Sequence, residues 1–135
     1  MRLQTGQMPA LRFAANLPVM LALLLLAGCG DGVVQPQPAP ESVTLNEPAL
    51  LASGVVLLTW TPSSAGDFMG YRIYRSTNAG VNDASTPIYS GDDPAVDTCY
   101  DYSVSPGTHF YYRLYVLFQE GQPAVSNVVN VAIPP

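Results

Sequence analysis

"HFYYRLYVLF", residues 109–118, is the stretch on which the fold turns. It holds no glycine, proline or acidic residue, and six of its ten positions are aromatic or β-branched. In an extended chain successive side chains point to opposite faces. Phe110, Tyr112, Leu114, Val116 and Phe118 therefore share one side, and His109, Tyr111, Arg113, Tyr115 and Leu117 the other. The charged residue lies on the second side, so the first is the core face. This is a long strand with one buried face and one solvated face.

The same alternation recurs upstream. In "VVLLTW" Val56, Leu58 and Trp60 point one way, and in "YRIYR" Tyr71 and Ile73 do. Runs of this kind, separated by clusters of Gly, Pro, Asn and Asp, predict strands near 42–45, 55–61, 70–76, 87–90, 98–101, 109–118 and 124–133. No helical period appears from residue 41 onward. The expected fold is all-β, a seven-stranded antiparallel β-sandwich over residues 41–135, a segment long enough to bury one core between two sheets.

Charge narrows the partners. The chain has no lysine, and two of its five arginines, Arg2 and Arg12, precede residue 29. Beyond residue 28 there are three arginines against ten carboxylates, a balance of −7. Nucleic acid rewards basic patches and repels such a body, so no nucleic-acid partner is expected. The two cysteines, Cys29 and Cys99, show no zinc-ligand spacing, and no metal site is expected.

The domain's sequence bears a resemblance to a known family. "VVLLTWTPS", "GYRIYRST", "PIYSG", "DYSVSPGTHFYYRLYVLF" and "SNVVNVAIPP" occur in the order and spacing of a fibronectin type III domain. The similarity covers essentially all of residues 41–135, and its most specific parts are Trp60, the Tyr71-Arg72-Ile73-Tyr74 strand and the Ser105-Pro106-Gly107-Thr108 turn. It implies core positions for Trp60, Tyr71, Ile73, Phe110, Tyr112 and Leu114. The immunoglobulin domain is the close rival. There the tryptophan stands on the third strand beside a disulfide joining strands two and six, whereas here Leu58 and Leu114 hold the positions a disulfide would need. One departure from the family lies at Phe110, where members usually carry a tyrosine whose hydroxyl ties the corner to nearby backbone. That bond, worth ~1 kcal/mol net, is lost. The resemblance also places Cys99 in the core as a packed thiol and gives Asp101 a structural role.

The amino-terminal 40 residues read differently. An Arg-bearing start leads to an apolar run, 17–27, of about half the ~20 residues needed to cross a bilayer as a helix. The layout is that of an export signal over residues 1–28. Its end, Leu26-Ala27-Gly28-Cys29, resembles the lipobox of bacterial lipoproteins. That resemblance implies cleavage before Cys29, a diacylglycerol on its sulfur and an acyl group on the new amino end; several chains anchor stably where one would not. Gly30, in place of the aspartate that retains lipoproteins at the inner membrane, favours the outer membrane of a bacterial cell envelope. Met8 is an alternative translation start that leaves the mature protein unchanged. Residues 29–40 form a Pro/Gln-rich tether; "GDGVVQPQPAP" would reach roughly 34 Å as an extended polyproline chain.

In the fibronectin arrangement the third, sixth and seventh strands adjoin. Their outward side would gather Arg72, Tyr74, Tyr111, Arg113 and Tyr115, a composition enriched at binding hot spots. The same residues would also serve as cross-strand pairs of a solvated face, at ~0.2–1 kcal/mol each. "DDPAVDTCYD" clusters carboxylates without the spacing of a calcium loop. His109, the single histidine, starts a strand with no nucleophile motif near it, and no catalytic residue or cofactor is expected apart from the lipid on Cys29. The expected function is a non-catalytic, lipid-anchored binding or scaffolding module engaging an envelope protein. A carbohydrate-binding module using the same tyrosines, or a passive spacer, are the alternatives.

Overall fold

The computed structural model describes residues 41–135; the expected signal over residues 1–28, the expected lipidation site Cys29 and the expected tether over 29–40 lie outside the described residues. The fold is all-β and antiparallel, in two sheets. Its strands are β1 (Ala49–Leu50), β2 (Val56–Thr59), β3 (Phe68–Ser76), β4 (Thr86–Gly91), β5 (Thr98–Asp101), β6 (His109–Phe118), β7 (Ala124–Val125) and β8 (Val129–Ala132). One sheet runs β1-β2-β5; the other runs β4-β3-β6, with β7 and β8 covering successive parts of the far edge of β6. Among the described residues no peptide bond is cis.

The alternation read from the sequence sets the core. Val56, Leu58 and Trp60 from one sheet meet Tyr71, Ile73, Phe110, Tyr112, Leu114 and Val116 from the other, all buried, in one cluster. Fully burying a large apolar side chain contributes about 1.5–3 kcal/mol, so this cluster is the main source of stability. Pro106-Gly107 turns the chain into β6; Gly107 has φ +71°, a conformation open to glycine, and its N–H donates to Ile133 O at 2.9 Å.

Two strand expectations are corrected. Seven strands were expected and eight form. Residues 42–45 are not a strand: Leu45 makes a single bridge to Trp60. Its backbone is satisfied elsewhere, because Asn127 Oδ1 accepts from Leu45 N and Asn127 Nδ2 donates to Leu45 O, both at 3.0 Å. The ladder beside β2 forms instead after Pro48, at Ala49–Leu50. The last expected strand, 124–133, is broken in two. Ser126 Oγ accepts the Leu114 N–H at 2.9 Å and donates to Asn127 O at 2.7 Å. A side chain thus takes a place in the ladder, and regular pairing resumes at Val129.

Phe110 fills the core as expected, and the corner has another tie. Arg75 stands with its guanidinium carbon 4.7 Å from the Phe110 ring centre. Tyr112, two residues further on, donates its hydroxyl to Asp101 Oδ2 at 3.1 Å.

Candidate functional site

β3 and β6 pair over most of their length, with Arg72 opposite Tyr115, Tyr74 opposite Arg113 and Ser76 opposite Tyr111. All five residues nominated from the sequence therefore stand on one outward face, each half-buried against its neighbours. Tyr74 meets Tyr115 edge-to-face at 5.4 Å between ring centres, a geometry that complements the ring quadrupoles. His109 extends the same row by stacking flat on Tyr111 at 4.9 Å; its Nε2 lies 2.8 Å from Asn130 Oδ1. Alternation along β6 already placed His109 on this side. Its partner is an amide rather than a nucleophile or carboxylate.

The two arginines are held but not neutralised. Arg72 Nη1 donates to Tyr71 O at 2.8 Å, and Arg113 Nε donates to Ser126 O at 3.1 Å. Both are neutral backbone acceptors, so each guanidinium keeps its charge and further donors. The third arginine, Arg75, is committed inward in the one ion pair among the described residues, with Asp101. Of the nine carboxylates in residues 41–135, Asp101 is buried and the other eight lie in loops. No strand of the five-stranded sheet carries one. The net-negative domain thus concentrates its uncompensated positive charge on a single aromatic face.

The Arg75–Asp101 pair was not anticipated, although the signal was present. Alternation from Ile73 puts Arg75 inward on β3, and alternation from Cys99 puts Asp101 inward on β5. Arg75 Nη1 lies 2.9 and 2.7 Å from the two carboxylate oxygens, and Ser103 N donates to Oδ1 at 2.9 Å. With the Tyr112 hydroxyl, this polar cluster bridges the two sheets. An open depression of about 290 Å³ beside it is lined by Ser76, Thr77, Ser85 and Thr86 together with Arg75 and Phe110. Its one cation is already paired.

Cys99 is buried beside this cluster. Burial, and then the Asp101 charge, push its thiol up to about 12 from an ordinary 9.0. Burial and Asp101 also raise the Tyr112 phenol well above its usual range. Folding therefore favours the protonated form of both groups. Their contribution is intact below about pH 9 and is lost as pH rises towards about 12. The urea midpoint should fall steadily between about pH 9 and pH 11, and Cys99→Ala should delay the onset; equal profiles for the two proteins would refute a role for the thiol.

Two aromatic residues escaped the sequence reading. Tyr100 on β5 and Tyr102 just after it are 48% and 74% exposed, with ring centres 6.1 Å apart and planes 32° from parallel. Among the described residues no three His, Cys, Asp or Glu side chains group as metal ligands.

No protein-family model and no curated protein matches the chain. Solved structures do. An Fn3-like protein from Clostridium thermocellum is similar at 27% identity and TM-score 0.55, the match covering 72% of this chain and 96% of that one. A pectate lyase from Erwinia chrysanthemi matches at 23% identity and TM-score 0.56 over 68% of this chain. A beta-1,2-glucanase from Parabacteroides distasonis matches at 21% and 0.57 over 73%. The chain spans 28% of the lyase and 13% of the glucanase, so in both the likeness is to one part of a larger protein. What these proteins share with the chain is a fibronectin-like β fold.

Proposed function

We propose that the chain is a lipid-anchored, non-catalytic binding module of fibronectin type III kind, tethered through Cys29 and residues 30–40 to a bacterial envelope membrane, the outer membrane in the first instance. It engages an envelope protein through the β3/β6 face. The observation that supports this is the segregation of charge: Arg72 and Arg113 stand among three tyrosines on a face free of carboxylates, while the rest of the domain is acidic. Such a face suits a partner with an acidic, partly apolar patch. Complementary charge steers the encounter, and tyrosine and arginine supply contact area and directed donors.

The test is crosslinking in native membranes followed by affinity capture. The wild type should retain a specific envelope protein that a Tyr111→Ala, Arg113→Glu, Tyr115→Ala variant loses. Because the variant also forgoes cross-strand contacts of ~0.2–1 kcal/mol each, circular dichroism at the assay temperature must show it folded. Identical partners for both proteins would move the interaction elsewhere. A chain bearing Cys29→Ser should leave the membrane fraction; retention there would refute the lipid anchor.

A glycan-binding reading has support of its own. The pectate lyase and the glucanase are enzymes named for polysaccharides, and both contain this fold as a part. Retention on glycan columns without any protein partner would favour that reading.

A further inference from the structure

The outer side of the three-stranded sheet is built differently from the β3/β6 face. Its outward strand positions are Ala49 on β1, Leu57 and Thr59 on β2, and Thr98 and Tyr100 on β5, with Ala49, Leu57 and Tyr100 aligned across the sheet. None is charged. At the edge stand Tyr100 and Tyr102, the most exposed tyrosines of the described residues. Between them lies Asp101, the most restrained residue of the strand, held by Arg75, Tyr112 and Ser103. Each exposed ring is therefore mounted beside an anchored backbone position. Rigid side chains that contribute area without ordering cost are what a preorganised binding surface needs.

We infer that Tyr100 and Tyr102 form a stacking platform for a linear, uncharged polysaccharide. The C–H face of a sugar ring is flat and apolar, and its hydrogens complement the negative face of an aromatic ring. Two rings in tandem, tilted 32° and open to solvent, make a track along a surface instead of a pocket, which suits a chain and not a small molecule. Hydroxyl partners stand on the adjoining strands. Thr59 Oγ1 accepts from Asn46 Nδ2 at 3.0 Å and keeps its O–H free to donate. Thr98 Oγ1 donates to Asp97 at 2.8 Å and keeps lone pairs free to accept. A protein hot spot would instead sit in a packed, desolvated pocket, whereas Tyr102 stands proud of the surface. This platform lies on the other sheet from the β3/β6 face, so either can fail without the other.

The test is native electrophoresis of the full chain, in mild detergent, through gels holding hydroxyethylcellulose, xyloglucan, a soluble β-glucan or polygalacturonate. At least one neutral polymer should retard the wild type. Tyr102→Ala should weaken that retardation about tenfold or more, Tyr100→Ala should weaken it similarly, and Tyr102→Trp should restore it. The Tyr111→Ala, Arg113→Glu, Tyr115→Ala variant runs faster because of its added negative charge, but each neutral polymer should retard it, relative to a gel without polymer, by the same factor as wild type. Four results would each overturn the inference: no retardation by any neutral polymer, retardation insensitive to both tyrosines, retardation by polygalacturonate alone, or capture of an envelope protein that Tyr102→Ala abolishes in the absence of polysaccharide.

Discussion

Asp101→Ala is expected to lower the unfolding free energy by ~3–5 kcal/mol, a large share of the ~5–15 kcal/mol typical of a small domain. The size follows from what the substitution leaves behind. Arg75 has a side chain only 14% accessible and would keep its charge with no counter-ion. Tyr112 and Ser103 would lose their acceptor at the same stroke. Urea denaturation followed by the fluorescence of Trp60 measures the change. A double substitution, Arg75→Met with Asp101→Leu, should recover part of the loss, because removing both charges spares the penalty of a lone buried one. Full recovery is not expected, since Tyr112 still needs a partner. A single-variant loss under ~1 kcal/mol would mean that the pair is hydrated like a surface bridge.

Trp60 is the second position of large effect. Its ring stands edge-on to Tyr71 at 5.4 Å and tilted against Tyr89 at 5.6 Å, joining one sheet to the other. Trp60→Ala should cost ~3–5 kcal/mol through lost contacts and the cavity left behind. Trp60→Phe should cost much less. The indole Nε1 is buried without a hydrogen-bond partner, so replacing it with a ring that carries no donor removes an unsatisfied group along with some packing. Urea titrations read by far-ultraviolet circular dichroism compare the two. Equal losses would show that the indole N–H is satisfied after all.

How far the chain was legible depended on whether a residue follows the pleat. Wherever alternation is strict, the sequence predicted both strand and face: residues 109–118 form β6 with the bounds read for it, and the five residues of the Arg/Tyr face meet across β3 and β6. Legibility failed where side chains replace backbone partners. Asn127 holds both backbone groups of Leu45, and Ser126 enters the ladder of β6, so one expected strand became a bridge and another became two. No local pattern encodes either event, because each joins residues distant in sequence. The Arg75–Asp101 pair was a different omission. Both residues sit at inward positions that simple counting identifies, and two opposite charges facing one core have to meet. Tyr100 and Tyr102 flank that aspartate, and the same counting turns Tyr100 outward.

Cys99 can serve as a clock. In a chain carrying Cys29→Ser it is the sole thiol, and it lies on the core face of β5, 7% exposed. A thiol label reacts fastest in the moments when β5 parts from the opposite sheet, since in the closed form the thiol is both covered and held protonated. At high reagent concentration the labelling rate becomes the opening rate, and at low concentration it reports the fraction of molecules open. Addition of a candidate partner or glycan would slow that clock if it binds the closed form, by an amount that measures its affinity without any chemical change to the surface it touches.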